Sequence, residues 1–373
     1  MSANLEIQII AMIIAVACAL PGNFLILRKM SMMTDSITHT ILLGIVLGFF
    51  VAKDLNSPIL MIGAVAMGVF TVWATEAVIK TKIVAEDSAI GIIFPLFFSL
   101  AIILLTKFAG NVHLDTKCVL LGELAFTPFD RMVMFGTDIG PKSMYMGMLL
   151  LVVNLLFIVI LFKELKLSTF DPMLAAVFGF SPVILHYAFM TIISFTAVGA
   201  FESVGSILVI AFMIAPPAIA YLLTDRLHIM LMISAIVAIL SSLIGFKVAF
   251  ELDVSIAGSM AASLGVIFLI ASIFAPQRGV ITVILRRRKQ RSSFEKIVVL
   301  RHIMNHEHTQ RCKIENGITT IYDHLKWNKK YLDNIIGHLR KSNYIDEKDG
   351  MYIATEVGIE KCKEFYQSFA EVE

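Results

Sequence analysis

Nine blocks of mostly apolar residues, most of them close to twenty residues long, fill the first three quarters of this chain. They run approximately Ile9–Leu27, Ile37–Ala52, Ile59–Ile79, Ala89–Thr106, Met144–Phe162, Val183–Ala200, Ser206–Leu222, Ile229–Phe246 and Ile256–Phe274. A helix needs about 20 apolar residues to cross a bilayer. Lipid offers the backbone no hydrogen-bond partner, so spanning segments must satisfy their own. The pattern predicts an all-α polytopic membrane protein. The second block is short, and only Phe201–Gly205 separate the sixth from the seventh. Eight full spans with one broken or re-entrant helix therefore fit as well as nine. Of 373 residues, 16% are charged, against about a quarter in soluble domains. The first block lacks a basic leader and an A-x-A site, so it reads as a retained span. The four cysteines form no CxxC pair, so neither a disulfide framework nor a zinc ribbon is suggested.

Positive charge orients the chain. Arg28, Lys29, Lys80, Lys82, Lys163, Lys166, Arg226 and Arg278 follow the odd-numbered blocks, and the run Arg286-Arg287-Arg288-Lys289 comes after the last. The alternate short loops hold only Lys53 and Lys247. With nine spans the N-terminus lies outside and the C-terminal part is cytosolic. With eight, the N-terminus moves inside and the tail stays there. Pro21-Gly22, Pro95 and Pro216-Pro217 interrupt the spans. Such breaks are tolerated where protein or a water-filled cavity covers the freed carbonyls, which suits a transporter better than an anchor.

Asp35 and His39 stand at the mouth of the second block, four residues apart and so on one helix face. An aspartate at a bilayer centre costs roughly 2.5–3.5 kcal/mol, so such residues are functional candidates. Carboxylate plus imidazole is a ligand set for Mn, Fe or Zn. The alternative is that Asp35 caps the helix and His39 reaches the headgroups. Glu202, between the sixth and seventh blocks, and His113, Asp115 and Glu123 in the long loop after the fourth are candidates for a cation funnel, or plain solvated loop residues. The methionines are spread through the spans and read as packing.

Several blocks in order resemble the permease subunit of manganese, zinc or iron ABC importers, the metal branch related to vitamin B12 and siderophore permeases. They are Leu27-Arg28-Lys29-Met30-Ser31 leading into Asp35-Ser36-Ile37-Thr38-His39 and Gly44; Glu86-Asp87-Ser88-Ala89-Ile90-Gly91-Ile92; Leu114-Asp115 with Leu121-Gly122-Glu123; Phe170-Asp171-Pro172 with Ala175 and Gly179; and Val204-Gly205-Ser206-Ile207-Leu208-Val209, Ala215-Pro216 and Thr224-Asp225-Arg226-Leu227. The chain departs from the family at Leu43, where a proline is usual, and at Leu121, where a phenylalanine is usual. The resemblance covers about residues 10–280. It implies that Asp35 and His39 line the metal path, that two permease subunits, identical or different, meet around that path, and that Asp171, Pro172, Ala175 and Gly179 mark a coupling helix docking on an ATPase. Without the family context that segment reads as a plain interfacial helix. The chain has no G-x-x-x-x-G-K-[ST] phosphate loop. It is therefore expected to be no enzyme, with ATP hydrolysis in a separate subunit and metal captured by an extracellular or periplasmic binding protein. No permanent cofactor is expected; the divalent ion is cargo. The expected location is the bacterial cytoplasmic membrane.

Composition changes at the basic run. Residues 1–280 read as the permease domain, 281–291 as a basic membrane–cytosol linker, and 292–373 as a small cytosolic α+β domain. The last reads helix, helix, helix, a two-stranded wing around Asp349-Gly350, and a helix capped by Thr355. This resembles the winged-helix domain of metal-dependent repressors. Winged helices commonly bind DNA, yet this one is tethered and only slightly basic, so a regulatory or docking module is expected and nucleic acid is not. His302, His306, His308 and Cys312 fall within eleven residues. They read as a cytosolic metal-sensing site or as a polar turn with coincidental histidines. Two other functions make different demands on the sequence. A permease for a siderophore or cobalamin chelate would not need the Asp35–His39 pair, and a membrane-anchored metal-responsive regulator would need fewer spans.

Overall fold

The computed structural model describes residues 3–54, 57–108, 124–134, 137–307, 312–325 and 327–370. The chain divides into two compact units, Met1–Gly279 and Val280–Glu373. The first is helical except for one short hairpin. Its helices are α1 (Ala3–Leu27), α2 (Ser31–Ala52), α3 (Pro58–Lys80), α4 (Glu86–Phe108), α5 (Lys142–Ile160), α6 (Phe162–Phe170), α7 (Pro172–Val177), α8 (Pro182–Val204), α9 (Ser206–Leu223), α10 (Leu227–Leu252) and α11 (Ile256–Phe274). An antiparallel pair, β1 (Arg131–Met134) and β2 (Thr137–Pro141), precedes α5. Among the described residues nine helices are long and apolar enough to span a membrane: α1–α5 and α8–α11. The sixth and seventh are separate helices, joined through Gly205 at φ 79°.

The second span is longer than its apolar block. It begins at Ser31, where hydropathy alone suggests Ile37. Two of its threonines are satisfied within the helix: Thr38 Oγ1 donates to Asp35 O at 2.8 Å and Thr40 Oγ1 to Ser36 O at 3.0 Å. Hydropathy therefore ended the segment before the backbone does.

The helix breaks are matched by partners. Pro21 has no N–H, which leaves the Ala17 carbonyl without its intrahelical donor. Asn154 Nδ2 of α5 supplies one at 3.0 Å and also donates to Thr196 Oγ1 of α8 at 2.9 Å. Pro216 and Pro217 likewise free the carbonyls of Phe212 and Met213. Gly22 of α1 lies against the Met213 carbonyl so closely that a Cβ there would collide with it. Asn23 then ties α1 to α10, donating to Ser234 Oγ at 2.8 Å. These contacts make α1 the centre of the unit, with Ile10, Ile14, Phe24 and Leu25 fully buried.

The second unit has its own core around Leu300, Ile303, Leu332, Ile336 and Tyr352. It comprises α12 (Val280–His306), α13 (Cys312–Glu315), α14 (Ile321–Leu325), α15 (Lys329–Lys341), the antiparallel strands β3 (Ile345–Lys348) and β4 (Met351–Ala354), and α16 (Glu356–Ala370). Asp349 and Gly350 both have positive φ, the requirement of a two-residue turn between twisted strands. Thr355 Oγ1 accepts from Gly358 N at 3.1 Å and caps α16. The basic run lies inside α12, so the segment expected as a linker is helical.

Candidate metal-ion site

Asp35 lies one turn inside α2, whose N-cap position is Met30, so it does not cap the helix. His39 Nε2 stands 3.4 Å from Asp35 Oδ1, with the side chains 29% and 37% exposed. The His39 ring packs against Phe94 and Phe98 of α4, with centroids 5.2 and 5.9 Å away. One carboxylate and one imidazole thus share an edge of α2, held apolar on one side and open on the other. Two donors cannot complete a transition-metal shell, which takes four to six.

The α2–α3 hairpin sets the level of this pair. Thr71 Oγ1 donates to Thr40 Oγ1 at 2.8 Å. Further along, Gly44 and Gly63 touch backbone to backbone; a Cβ on Gly63 would lie 2.7 Å from Gly44 O. Five residues back from Thr40 is Asp35, and five onward from Thr71 is Glu76. In an antiparallel hairpin the two acids therefore share one level, about 7.5 Å from the threonine pair.

Glu76 was not a candidate from sequence. It has a partner 110 residues away: His186 Nε2 of α8 is 2.5 Å from Glu76 Oε1, and Tyr187 Oη donates to Glu76 Oε2 at 2.9 Å. Both side chains of the Glu76–His186 pair are about one-fifth exposed. The only signal in sequence was an acid and a histidine lying separately inside two apolar blocks.

Asp171 caps α7, its Oδ1 accepting from Leu174 N at 2.9 Å, and Pro172 occupies the first turn. Gly179, exposed at φ 86°, turns the chain towards α8. Ala175, however, is fully buried, so it is not part of the open surface. The most exposed large side chains there are Met173, Val177 and Phe178, at 84%, 82% and 66%. Arg28, after α1, holds the preceding helix by donating to Thr169 Oγ1 and Ser168 Oγ, both at 3.0 Å. Its guanidinium lies 4.8 Å from the Phe189 ring centroid. Burial pulls the Arg28 pKa down to about 10, which leaves it charged at neutral pH.

Glu202 is exposed in the last turn of α8, while His113, Asp115 and Glu123 lie outside the described residues. In the second unit His302 and His306 do meet, with ring centroids 4.7 Å apart. His306 Nδ1 pairs with Glu315 Oε2, a residue that sequence reasoning missed, and His302 Nε2 is 3.2 Å from Glu315 O. Cys312 Sγ accepts from Asn316 Nδ2 at 3.9 Å. His308 lies outside the described residues. Among the described residues no three His, Cys, Asp or Glu side chains converge as a metal site in either unit.

Residues 4–275 match the ABC 3 transport family. The chain is 39% identical over 356 residues to the zinc transport system membrane protein TroD of Treponema pallidum (strain Nichols), covering 95% of this chain and 97% of that one. It is 44% identical over 285 residues to the manganese transport system membrane protein MntD of Bacillus subtilis (strain 168), covering 76% of this chain and 96% of that protein. Among solved structures, PsaBC from Streptococcus pneumoniae in complex with Fab matches with a TM-score of 0.62 and 29% identity, over 74% of this chain and 94% of that chain.

Proposed function

Because this chain belongs to the ABC 3 transport family, we propose that it is the membrane permease subunit of an importer for manganese or zinc, with Asp35 and His39 on the ion's path. The observation that carries the reading is the carboxylate–imidazole pair inside a spanning helix, half-open and packed on aromatic rings. A second permease subunit, identical or not, would bring a second pair. Two carboxylates and two imidazoles then suffice for one divalent ion, once protons are released. ATP hydrolysis would come from a partner ATPase docked on α7, and delivery of the metal from a binding protein on the outer face. The expected home is the bacterial cytoplasmic membrane, with the second unit in the cytosol. Asp35→Ala and His39→Ala should each abolish uptake of radiolabelled Mn(II) and Zn(II) while expression and assembly persist. Normal uptake by both variants would remove the pair from the path.

For the second unit we infer a winged-helix regulatory module. Support comes from the order of helices, hairpin and capped helix, and from the bridge between Gly317 and Met351 that extends the hairpin. The relatives divide in the same way. The TroD match covers too much of the chain to omit this unit, while MntD leaves unmatched a quarter of the chain, about the unit's size. A part that one relative lacks suits regulation better than the transport step itself.

A further inference from the structure

The spanning helices hold a second carboxylate–imidazole constellation. Glu76 sits near the end of α3 and His186 and Tyr187 in the second turn of α8. We propose that Glu76, His186 and Tyr187 form a second binding site for a divalent transition-metal ion, at the level of Asp35 but against α8, whereas His39 packs against α4; this rests on the metal-permease reading above.

Ionisable groups inside spans mark ion pathways by default. The donor set here repeats that of Asp35 and His39 and adds a phenol. His186 Nε2 comes to 2.5 Å of Glu76 Oε1, yet the nitrogen is buried without an aligned hydrogen bond. Two donor atoms from different helices have been brought together at one point. Ligands at about 2.1 Å from one ion lie roughly 3.0 Å apart at octahedral angles and roughly 3.4 Å apart at tetrahedral ones. An ion therefore needs the pair to open by roughly 0.5–0.9 Å, as any proton held between them leaves.

Room is available. The three residues line a cavity of about 470 Å³ whose other walls include Arg28, Lys80, Ser168 and Pro172. Water there can complete the coordination shell. The two cations set the affinity. Arg28 is engaged by Ser168, Thr169 and Phe189, and Lys80 is exposed at the end of α3. Both raise the local potential, so the site binds more weakly than one without them and releases its ion readily. The same cavity reaches Ser168 of α6 and Pro172 at the start of α7, so occupancy here adjoins the segment that would meet the ATPase.

The test uses the full-length chain in lipid nanodiscs with Mn(II) as probe, followed by equilibrium dialysis and EPR. Asp35→Ala/His39→Ala should retain Mn(II) with nitrogen hyperfine coupling from a histidine. His186→Gln in that background should remove this ion and its coupling. Glu76→Gln should do the same, and Tyr187→Phe, which keeps the helices packed, should weaken binding several-fold. If the Asp35→Ala/His39→Ala protein binds no Mn(II), or if binding ignores all three further substitutions, Glu76 and His186 are only a helix-to-helix latch. Uptake by the wild type is measured in parallel. A wild type that carries neither Mn(II) nor Zn(II) fails the permease reading, whereas normal uptake with no residual binding fails this inference alone.

Discussion

Arg28 Nη2, just beyond α1, donates to Ser168 Oγ of α6 at 3.0 Å. With the bond to Thr169 and the stack on Phe189, this guanidinium joins the central helix to the segment leading into α7. Lysine cannot make both bonds and the stack at once. Arg28→Lys should lose at least about 1.5 kcal/mol of that attachment, roughly a tenfold change in the equilibrium holding α6. Uptake measured against ATP hydrolysis in proteoliposomes should fall while hydrolysis persists. Equal loss of both would place Arg28 outside coupling.

Gly44 and Gly63 let α2 and α3 touch. Gly63→Ala puts a methyl group against the Gly44 carbonyl, and overpacking costs typically about 1–3 kcal/mol. A lower melting temperature in detergent is expected, together with reduced uptake, because the hairpin also carries Asp35 and Glu76. Unchanged melting would mean the helices separate freely.

The most exposed large side chains of α7 are Met173 and Val177, whereas Ala175 is buried. Val177→Asp should prevent co-purification of the ATPase without altering the melting temperature. Ala175→Trp should instead destabilise the fold. If Val177→Asp leaves ATPase binding intact, docking is elsewhere.

Removal of the second unit is cleanest after Gly279, since a cut at Arg291 would strand part of α12. The shortened chain should still transport. In metal-loaded cells it should take up more Mn(II) or Zn(II) than the full chain does. Identical uptake under metal-replete conditions would argue against regulation.

Tyr322 of α14 is hydrogen-bonded to Asp333 at 2.5 Å, and that bond pushes the phenol pKa up to about 12 from 10.0. The folded state therefore holds this proton more tightly than the unfolded state. The stability it contributes is complete below about pH 10 and declines as pH rises towards 12. Tyr322→Phe should remove one late-titrating phenol from the tyrosinate absorbance curve. An unchanged curve would show that Asp333 does not hold Tyr322.

Much of the candidate site was legible because its residues are local. Asp35 and His39 are a turn apart on one helix, and Asp171 caps the helix that begins at Pro172; both relations follow from helical period and capping chemistry. Glu315 against His306 and Glu76 against His186 were not legible. Each requires two elements to pack in a particular register, and nothing in the spacing along the chain encodes that. Ala175 shows the same limit in reverse, since a small residue on a short helix gives no sign of which face is covered.

The sequence by itself determined that this chain spans a membrane, where the spans lie and where its composition changes. Those properties follow from transfer free energy and from the backbone's need for hydrogen bonds, which act residue by residue. Tertiary structure decided which breaks are covered and by what: Asn154 answers the carbonyl freed by Pro21, and Gly22 meets the one freed by Pro217. It also decided that a second acid and histidine face each other at the level of the first pair. In lipid the helices already satisfy their own backbones, so close packing and a few polar side chains choose their partners, and that choice exists only in three dimensions.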